Sequence, residues 1–499
     1  MSQKYLNIIN FVRGVEPRDK ALDLIGTTEK QIEQINRFEF PATFLIQYDA
    51  FINDDFLCVL NGIDRKKSEI GLWLEIVQPL VEAVGIKWRG RKGFSWDWHV
   101  NPGFLIAYTK EQKKLLIDKA FAIFKDKFGF YPYSVGSWIL DSFSMDYMTE
   151  KYSVKGFCIC REQYGTDGYT LWGGPFNQGY YASKNNFLVP AFDFKNAVKS
   201  PVFRMLGTDP IYEYDSKLDS DFNRVDADTI YTMEPVWASG KDPKFIKWFL
   251  HTIFYNESLG NAYVQIGQEN SFGWENIYKG LEMQYKYLKT LKGVNICTLS
   301  EASESFKKSF SENVSCAVSA ISDWKGNNNQ SFYFTSKNYR ANLYSDGKKI
   351  WFRDIRLYSD NIRDIYNNSP AVGNTAQYII PPIVDGFLWS GNSVRAGIYL
   401  NNSESVLNIQ NNDTYTLNTN SGVSIKFFEK RIVISGEEQL NFVFYKTDDV
   451  NISSCGSKIL YKFEDYNYYL ETNGTVEQSY KGYVIKRTEE NITLQFGGL

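Results

Sequence analysis

Up to about residue 295 the chain alternates short apolar runs with longer stretches of helical character. The runs that read as strands are Leu6 to Val12, Ala42 to Gln47, Glu69 to Leu74, Tyr133 to Trp138, Lys155 to Cys160, Pro201 to Leu206, Thr229 to Met233 and Ala262 to Ile266. Strands alternating with helices on this scale predict a parallel sheet, closed into an irregular barrel of seven or eight strands. Thr28 with Gln31 and Thr109 with Gln112 have capping-box spacing, and Gly129 and Gly293 stand where C-terminal caps belong. The segment Glu301 to Phe310 reads as a helix that closes the barrel.

After Phe310 the texture changes to one rich in Asn, Ser, Thr and Tyr, with short alternating stretches at Ser331 to Thr335, Ser424 to Phe428, Leu440 to Tyr445 and Tyr483 to Lys486. Turn pairs such as Asp346-Gly347 and Asn473-Gly474 punctuate them, as in a β-sandwich. The expected fold is therefore α/β: a distorted (β/α)7-8 barrel over residues 1–310, followed by an all-β sandwich over 311–499 with the junction in Ser311 to Asn329. No repeat of solenoid or propeller length is visible.

Three clusters that follow strand-like runs carry the chemistry: GTDGYTLWGGPFNQGYY (Gly165 to Tyr181), RMLGTDPIYEYD (Arg204 to Asp215) and QIGQENSFGW (Gln265 to Trp274). Each mixes carboxylates, amides, aromatic rings and glycine turns, the groups that a barrel gathers at the C-terminal ends of its strands and that suit a sugar. Five carboxylates sit at strand ends: Glu16, Glu75, Asp141, Asp209 and Glu269. Glycosidic cleavage needs a proton donor and a second carboxylate. Asp209, between Gly207 and Pro210, and Glu269, between the amides Gln268 and Asn270, form the expected catalytic pair, with Asp141 in reserve. Substrate binding is assigned to Glu16, Glu75, Trp98, His99, Trp138, Asp167, Trp172, Asn177, Gln178, Arg204, Gln268, Asn270 and Trp274, because rings beside polar loop residues can stack on sugars. Arg89 and Arg91 either bind an anionic substituent or pair with surface acids.

Composition removes other classes. The chain of 499 residues carries 55 basic and 58 acidic residues, a net charge of −3, with no basic tract, so a nucleic-acid partner is not expected. No apolar run nears the roughly 20 residues that span a bilayer, and the start lacks a signal peptide's pattern. The expected protein is soluble with no membrane partner, cytoplasmic as written, or secreted or periplasmic if a leader has been removed. Six cysteines do not make a disulfide framework, and they read as buried thiols. Only two histidines, His99 and His251, are present, and there is neither a phosphate loop nor a GxSxG elbow. No cofactor is expected, and the partner is an oligosaccharide or polysaccharide substrate.

The order of ATFLIQYDAF (Ala42 to Phe51), SEIGLWLE (Ser68 to Glu75), FGFYPYSVGSWILD (Phe128 to Asp141) and YSVKGFCIC (Tyr152 to Cys160) resembles the glycoside hydrolase/deacetylase superfamily over about residues 5 to 310. The motifs WRGR, WDWH, GTDGYTLWGG, FRMLGTDP and GQENSFGW look like a bacterial family within it that has a β domain after its barrel. The resemblance implies a distorted barrel and a carbohydrate substrate. Deacetylases of the superfamily hold a metal with an Asp pair after strand one and a His-x-x-x-His motif after EIG. Here strand one leads to RGVEPRD, and EIG runs into Leu72, Trp73 and Glu75. No metal site of that type is expected, although Glu16, Glu75, Asp97 and His99 offer the donors for a different one. The reading is a glycoside hydrolase; the alternatives are a carbohydrate esterase and a catalytically silent carbohydrate-binding protein.

Overall fold

The computed structural model describes residues 3–227, 229–401, 407–412 and 414–499. Among the described residues eleven strands build the first half: β1 (Gln3–Val12), β2 (Thr43–Gln47), β3 (Glu69–Trp73), β4 (Ser134–Gly136), β5 (Gly156–Ile159), β6 (Gln163–Thr166), β7 (Tyr169–Trp172), β8 (Gly179–Tyr180), β9 (Val202–Arg204), β10 (Asn261–Ile266) and the short β11 (Asn295–Ile296), which pairs with β1. The main sheet runs β10-β1-β2-β3-β4-β5-β9, all parallel, with β8 antiparallel on the β9 edge. This is the expected distorted barrel. Among the described residues no ladder joins the two sheet edges, β8 and β10, and the gap is spanned by a side-chain amide and one backbone hydrogen bond. The Asn261 carboxamide accepts from the Gly179 amide at 2.7 Å and donates to its carbonyl at 3.2 Å, while the Tyr263 amide donates to the Asn177 carbonyl.

Strand alternation divides the core in two. Tyr5, Ile9 and Phe11 of β1 face the barrel interior with Leu45, Trp73, Phe203 and Tyr263, whereas Leu6, Ile8 and Val12 pack outward against the helices. Helix Leu299–Ser309 fills the interior from the N-terminal end with Leu299, Ala302 and Phe306, which leaves the opposite end for a cavity.

Some local expectations are corrected. Thr229 to Met233 forms no strand; it makes a lone bridge, Thr208 to Thr232, because the Ser239 hydroxyl captures the Thr232 amide and carbonyl. Helix Leu24–Phe38 starts four residues before Thr28, capped by the Asp23 carboxylate on the Gly26 amide at 2.8 Å. Thr28 then donates to Leu24 instead of capping. Thr109 and Gln112 do form a capping box, and Gly129 ends that helix in the left-handed conformation. Gly293 lies beyond the cap of helix Trp274–Leu288, which ends on Lys289. Cys158, Cys160, Cys297 and Cys316 are buried, while Cys58 and Cys455 are exposed.

The C-terminal part is a sandwich of two antiparallel sheets, around a core that includes Phe334, Phe352, Ile398, Leu417, Ile434 and Leu494. It is fastened to the barrel. Strand Ala376–Ile379 pairs in parallel with β7, drawing the β6–β7 hairpin into a sheet of its own. Three fully buried arginines complete the join. Arg340 pairs with Glu162 and Asp354, Arg353 with Asp215, and Arg356 with Asp354 and Asp385. Buried pairs of this kind fix geometry more than they add stability, because desolvation offsets much of their attraction.

Candidate active site

Arg13, the first residue beyond β1, organises the C-terminal end of the barrel. Its backbone is clamped by Asn270: the Arg13 amide donates to Asn270 Oδ1 and Asn270 Nδ2 donates to the Arg13 carbonyl, both at 2.9 Å. Its guanidinium forks onto Glu75, beyond β3, at 2.9 and 3.1 Å, and reaches Glu269, beyond β10, at 2.6 Å. Gln47, the last residue of β2, donates to the same Glu75 at 2.8 Å. The guanidinium lies over the Trp96 ring, 4.0 Å from its centroid. Burial opposes its charge, yet Glu269 and Glu75 outweigh that and hold Arg13 above its usual value. Glu269 reaches this position because Gly267 takes φ +107°, where an added Cβ would lie 2.1 Å from the Ile9 carbonyl oxygen.

A cavity of about 400 Å³ opens above this cluster. Its carboxylates are Glu269, Glu234, Asp167 and Asp226; its cations are Arg13, Arg18, Arg161 and Lys217; Trp96, Trp98 and Trp138 supply ring surface. Glu234 accepts from the Thr232 hydroxyl at 3.0 Å and from Gln268 Nε2 at 3.5 Å, so one amide side chain ties it to the residue preceding Glu269. Burial pushes the Glu269 carboxyl up to about 7 against the pull of Arg13. Glu234 is also raised by burial, against the pull of Arg161. The cavity therefore holds two buried acids whose carboxyls are shifted upward by burial, the kind of perturbation that marks candidate acid–base groups.

The positions of the other candidates vary. Trp98, Trp138 and Asp167 line the cavity with Glu269, and Gln268 and Asn270 lie directly beneath it as the clamps just described. Glu75 is buried under Arg13. Glu16 pairs with Arg18, which holds its carboxyl below the usual range despite burial, and it is Arg18 that lines the cavity. His99 turns its Nδ1 to Asp97 at 3.0 Å, and Arg91 forks onto the same carboxylate, so Arg91 pairs with an acid. Arg89 donates to the Ala107 carbonyl.

Asp209 is away from the cavity lining: Oδ1 accepts the Ile211 and Tyr212 amides, and Oδ2 accepts Trp324 Nε1 at 3.0 Å. Asp141 caps helix Ser142–Tyr152 and pairs with the fully buried Lys113 at 3.1 Å. Trp172 donates to Asp385 in the join with the sandwich. Asn177 holds Thr208 by both backbone groups, Gln178 is buried beside it, and Arg204 donates to the Cys160 and Pro175 carbonyls. Trp274 opens helix Trp274–Leu288 and stacks on Tyr278.

Sequence reasoning missed Arg13, Glu234 and Arg161. The signal for Arg13 was a cation directly after the strand-like run Leu6 to Val12; that for Glu234 was an acid directly after Thr229 to Met233. As for a metal, Glu16, Glu75 and Asp97 are each neutralised by an arginine, and the described residues contain no group of three or more His, Cys, Asp or Glu suited to hold an ion.

No family model and no curated protein sequence matches the chain. Solved structures do. A Parabacteroides distasonis protein named for the glycoside hydrolase/deacetylase class is 14% identical, with a TM-score of 0.58 over 76% of this chain and 91% of that one. The two chains share the distorted barrel fold. Two proteins named as polysaccharide deacetylases, from Mycobacterium smegmatis and Pseudomonas aeruginosa PAO1, align at TM-scores of 0.38 and 0.34. They are 10% and 11% identical, each over 61% of this chain, covering 90% and 91% of their own lengths. Such low identity speaks for the fold alone. No helix among the described residues is long and apolar enough to cross a membrane.

Proposed function

We propose that the protein is a carbohydrate-acting hydrolase that works at the cavity above Arg13, with residues 1–310 as its catalytic domain and 311–499 as an attached sandwich domain. The observation that carries this is the pairing of Glu269 and Glu234, two buried carboxyls raised by burial and facing one cavity beside four tryptophans, Trp96, Trp98, Trp138 and Trp237. In the glycosidase reading Glu269, set by Arg13, gives its proton to the leaving oxygen, and Glu234 is the second carboxylate. Asp209, sealed by amides and Trp324, leaves the proposed pair, as does Asp141 with its lysine. Trp98, Trp138 and Asp167 grip the sugar.

Removal of an acyl group from a carbohydrate is the second reading, and the neighbours favour it: the deacetylase class stands in all three of their names. Against a metal-dependent form of it, the ends of β1 and β3 carry the Arg13–Glu75 ion pair. Product analysis on a panel of plain and acetylated polysaccharides decides between them. New reducing ends that vanish in Glu269→Gln support glycosidic cleavage. Acetate release without new reducing ends moves the protein to the second reading, and binding with neither product removes both.

A further inference from the structure

A second cleft, of about 690 Å³, lies on the outer face of the sandwich and shares no lining residue with the first. Its floor follows from strand register. Tyr344 pairs with Trp351, Trp351 with Tyr399, and Tyr399 with Asn441, so four adjacent strands place these side chains in one row. The next row, Leu343, Phe352, Ile398 and Phe442, points the other way into the sandwich core. Alternation that turns the aliphatic and Phe residues inward leaves the aromatic row on the other face, where Tyr344 and Trp351 are buried in a small cluster with Ile211 and Ala320 while Tyr399 and Asn441 stay half-buried at the cleft. The rings are ordered: Trp351 and Tyr399 stack with centroids 5.4 Å apart and planes 19° from parallel. Trp351 Nε1 is buried and has no hydrogen-bond partner among the described residues, although its side chain lines the cleft.

One wall belongs to the barrel. Loop residues Asp215, Leu218 and Phe222 face the row, and the wall is pinned to the sandwich by the Arg395–Asp215 ion pair and by Ser393 Oγ donating to Asp221 at 2.7 Å. The lining charges balance, with Asp219 and Asp346 against Lys349 and Lys481 once Asp215 is matched by Arg395. A balanced, aromatic, amide-ended cleft suits an uncharged polyhydroxylated chain. We infer that this cleft is a second carbohydrate site that holds a neutral glycan chain along the Tyr344–Trp351–Tyr399–Asn441 row. The choice of glycan rests on the hydrolase reading of the first cavity; the cleft itself does not.

The test is affinity electrophoresis of the full chain through gels containing soluble starch, xylan, β-glucan or polygalacturonate. Retardation by at least one of the three neutral polymers is expected, unchanged in Glu269→Gln, weakened at least about fivefold in Tyr399→Ala, the worth of one aromatic contact, and weakened also in Asn441→Ala. Thermal melts establish that the variants fold; if Tyr399→Ala does not, Trp351→Phe, which keeps a ring and removes the indole N–H, decides in its place. Retardation by no neutral polymer, or retardation that Glu269→Gln abolishes and Tyr399→Ala leaves untouched, overturns the inference. Hydrolysis by a chain that no gel retards removes the second site and leaves the hydrolase reading standing, whereas retention without hydrolysis does the reverse.

Discussion

The loops after β9 and β10 are built alike and end up doing different things. Each turns on a glycine of positive φ, Gly207 at +64° and Gly267 at +107°, and two residues later presents a carboxyl that burial pushes up to about 7. Asp209 has spent its oxygens on two amides and an indole from the sandwich side of the chain. Glu269, one methylene longer, reaches into the cavity and meets Arg13. A raised carboxyl therefore reports burial in both loops. What separates them is where the oxygens lie: those of Asp209 are enclosed by amides and an indole, while Glu269 pairs with Arg13 at the cavity wall.

The largest expected effect tests that distinction directly. On the substrate found by product analysis, Glu269→Gln should lower turnover by at least about a hundredfold, the low end of acid–base contributions, while Asp209→Asn stays within about threefold of the parent. Equal losses in the two variants would erase the contrast. Stability should show the opposite order. Asp209→Ala strands two amides and the Trp324 N–H, so urea unfolding should show a loss of about 1–3 kcal/mol.

Both loops share a pH signature, together with Asp49 and Asp364, whose carboxyls burial also raises to about 7. A carboxyl raised on folding binds its proton more tightly in the native state. Its contribution to stability is therefore full below its unfolded value near 4 and is lost as pH rises through about 7. Urea midpoints should fall between pH 5 and pH 7.5, and Asp209→Asn should flatten the fall; a slope unchanged in that variant would show that Asp209 does not take part. The smallest effect is expected from Trp324→Phe, which keeps the ring and removes one hydrogen bond. About 1 kcal/mol should be lost with turnover unaltered.

The same contrast measures how far the sequence could be read. The GQEN and GTDP segments were recognised as strand-end loops, and so they are, because an apolar run followed by glycine has few ways to fold. Which acid would face the cavity was not legible. The partner that closes Asp209, Trp324, is 115 residues away, and Arg13, which orients Glu269, is 256 residues away in the other direction. The aromatic row on the sandwich is of the same kind: its members are ordinary strand residues until register sets Tyr344, Trp351, Tyr399 and Asn441 side by side.

By itself, then, the sequence determined the succession of parallel strands, the change to an antiparallel sandwich and the loops that carry polar chemistry, because hydrophobic period and turn residues act over a few positions. Only the tertiary structure decided that Asn261 would span the gap between β8 and β10, that Arg13 would gather Glu75 and Glu269, that Glu234 would join them and that Asp209 would be sealed. The physical reason is common to all four. A buried polar group must find a partner, and which one it finds depends on strands brought together from opposite ends of the chain.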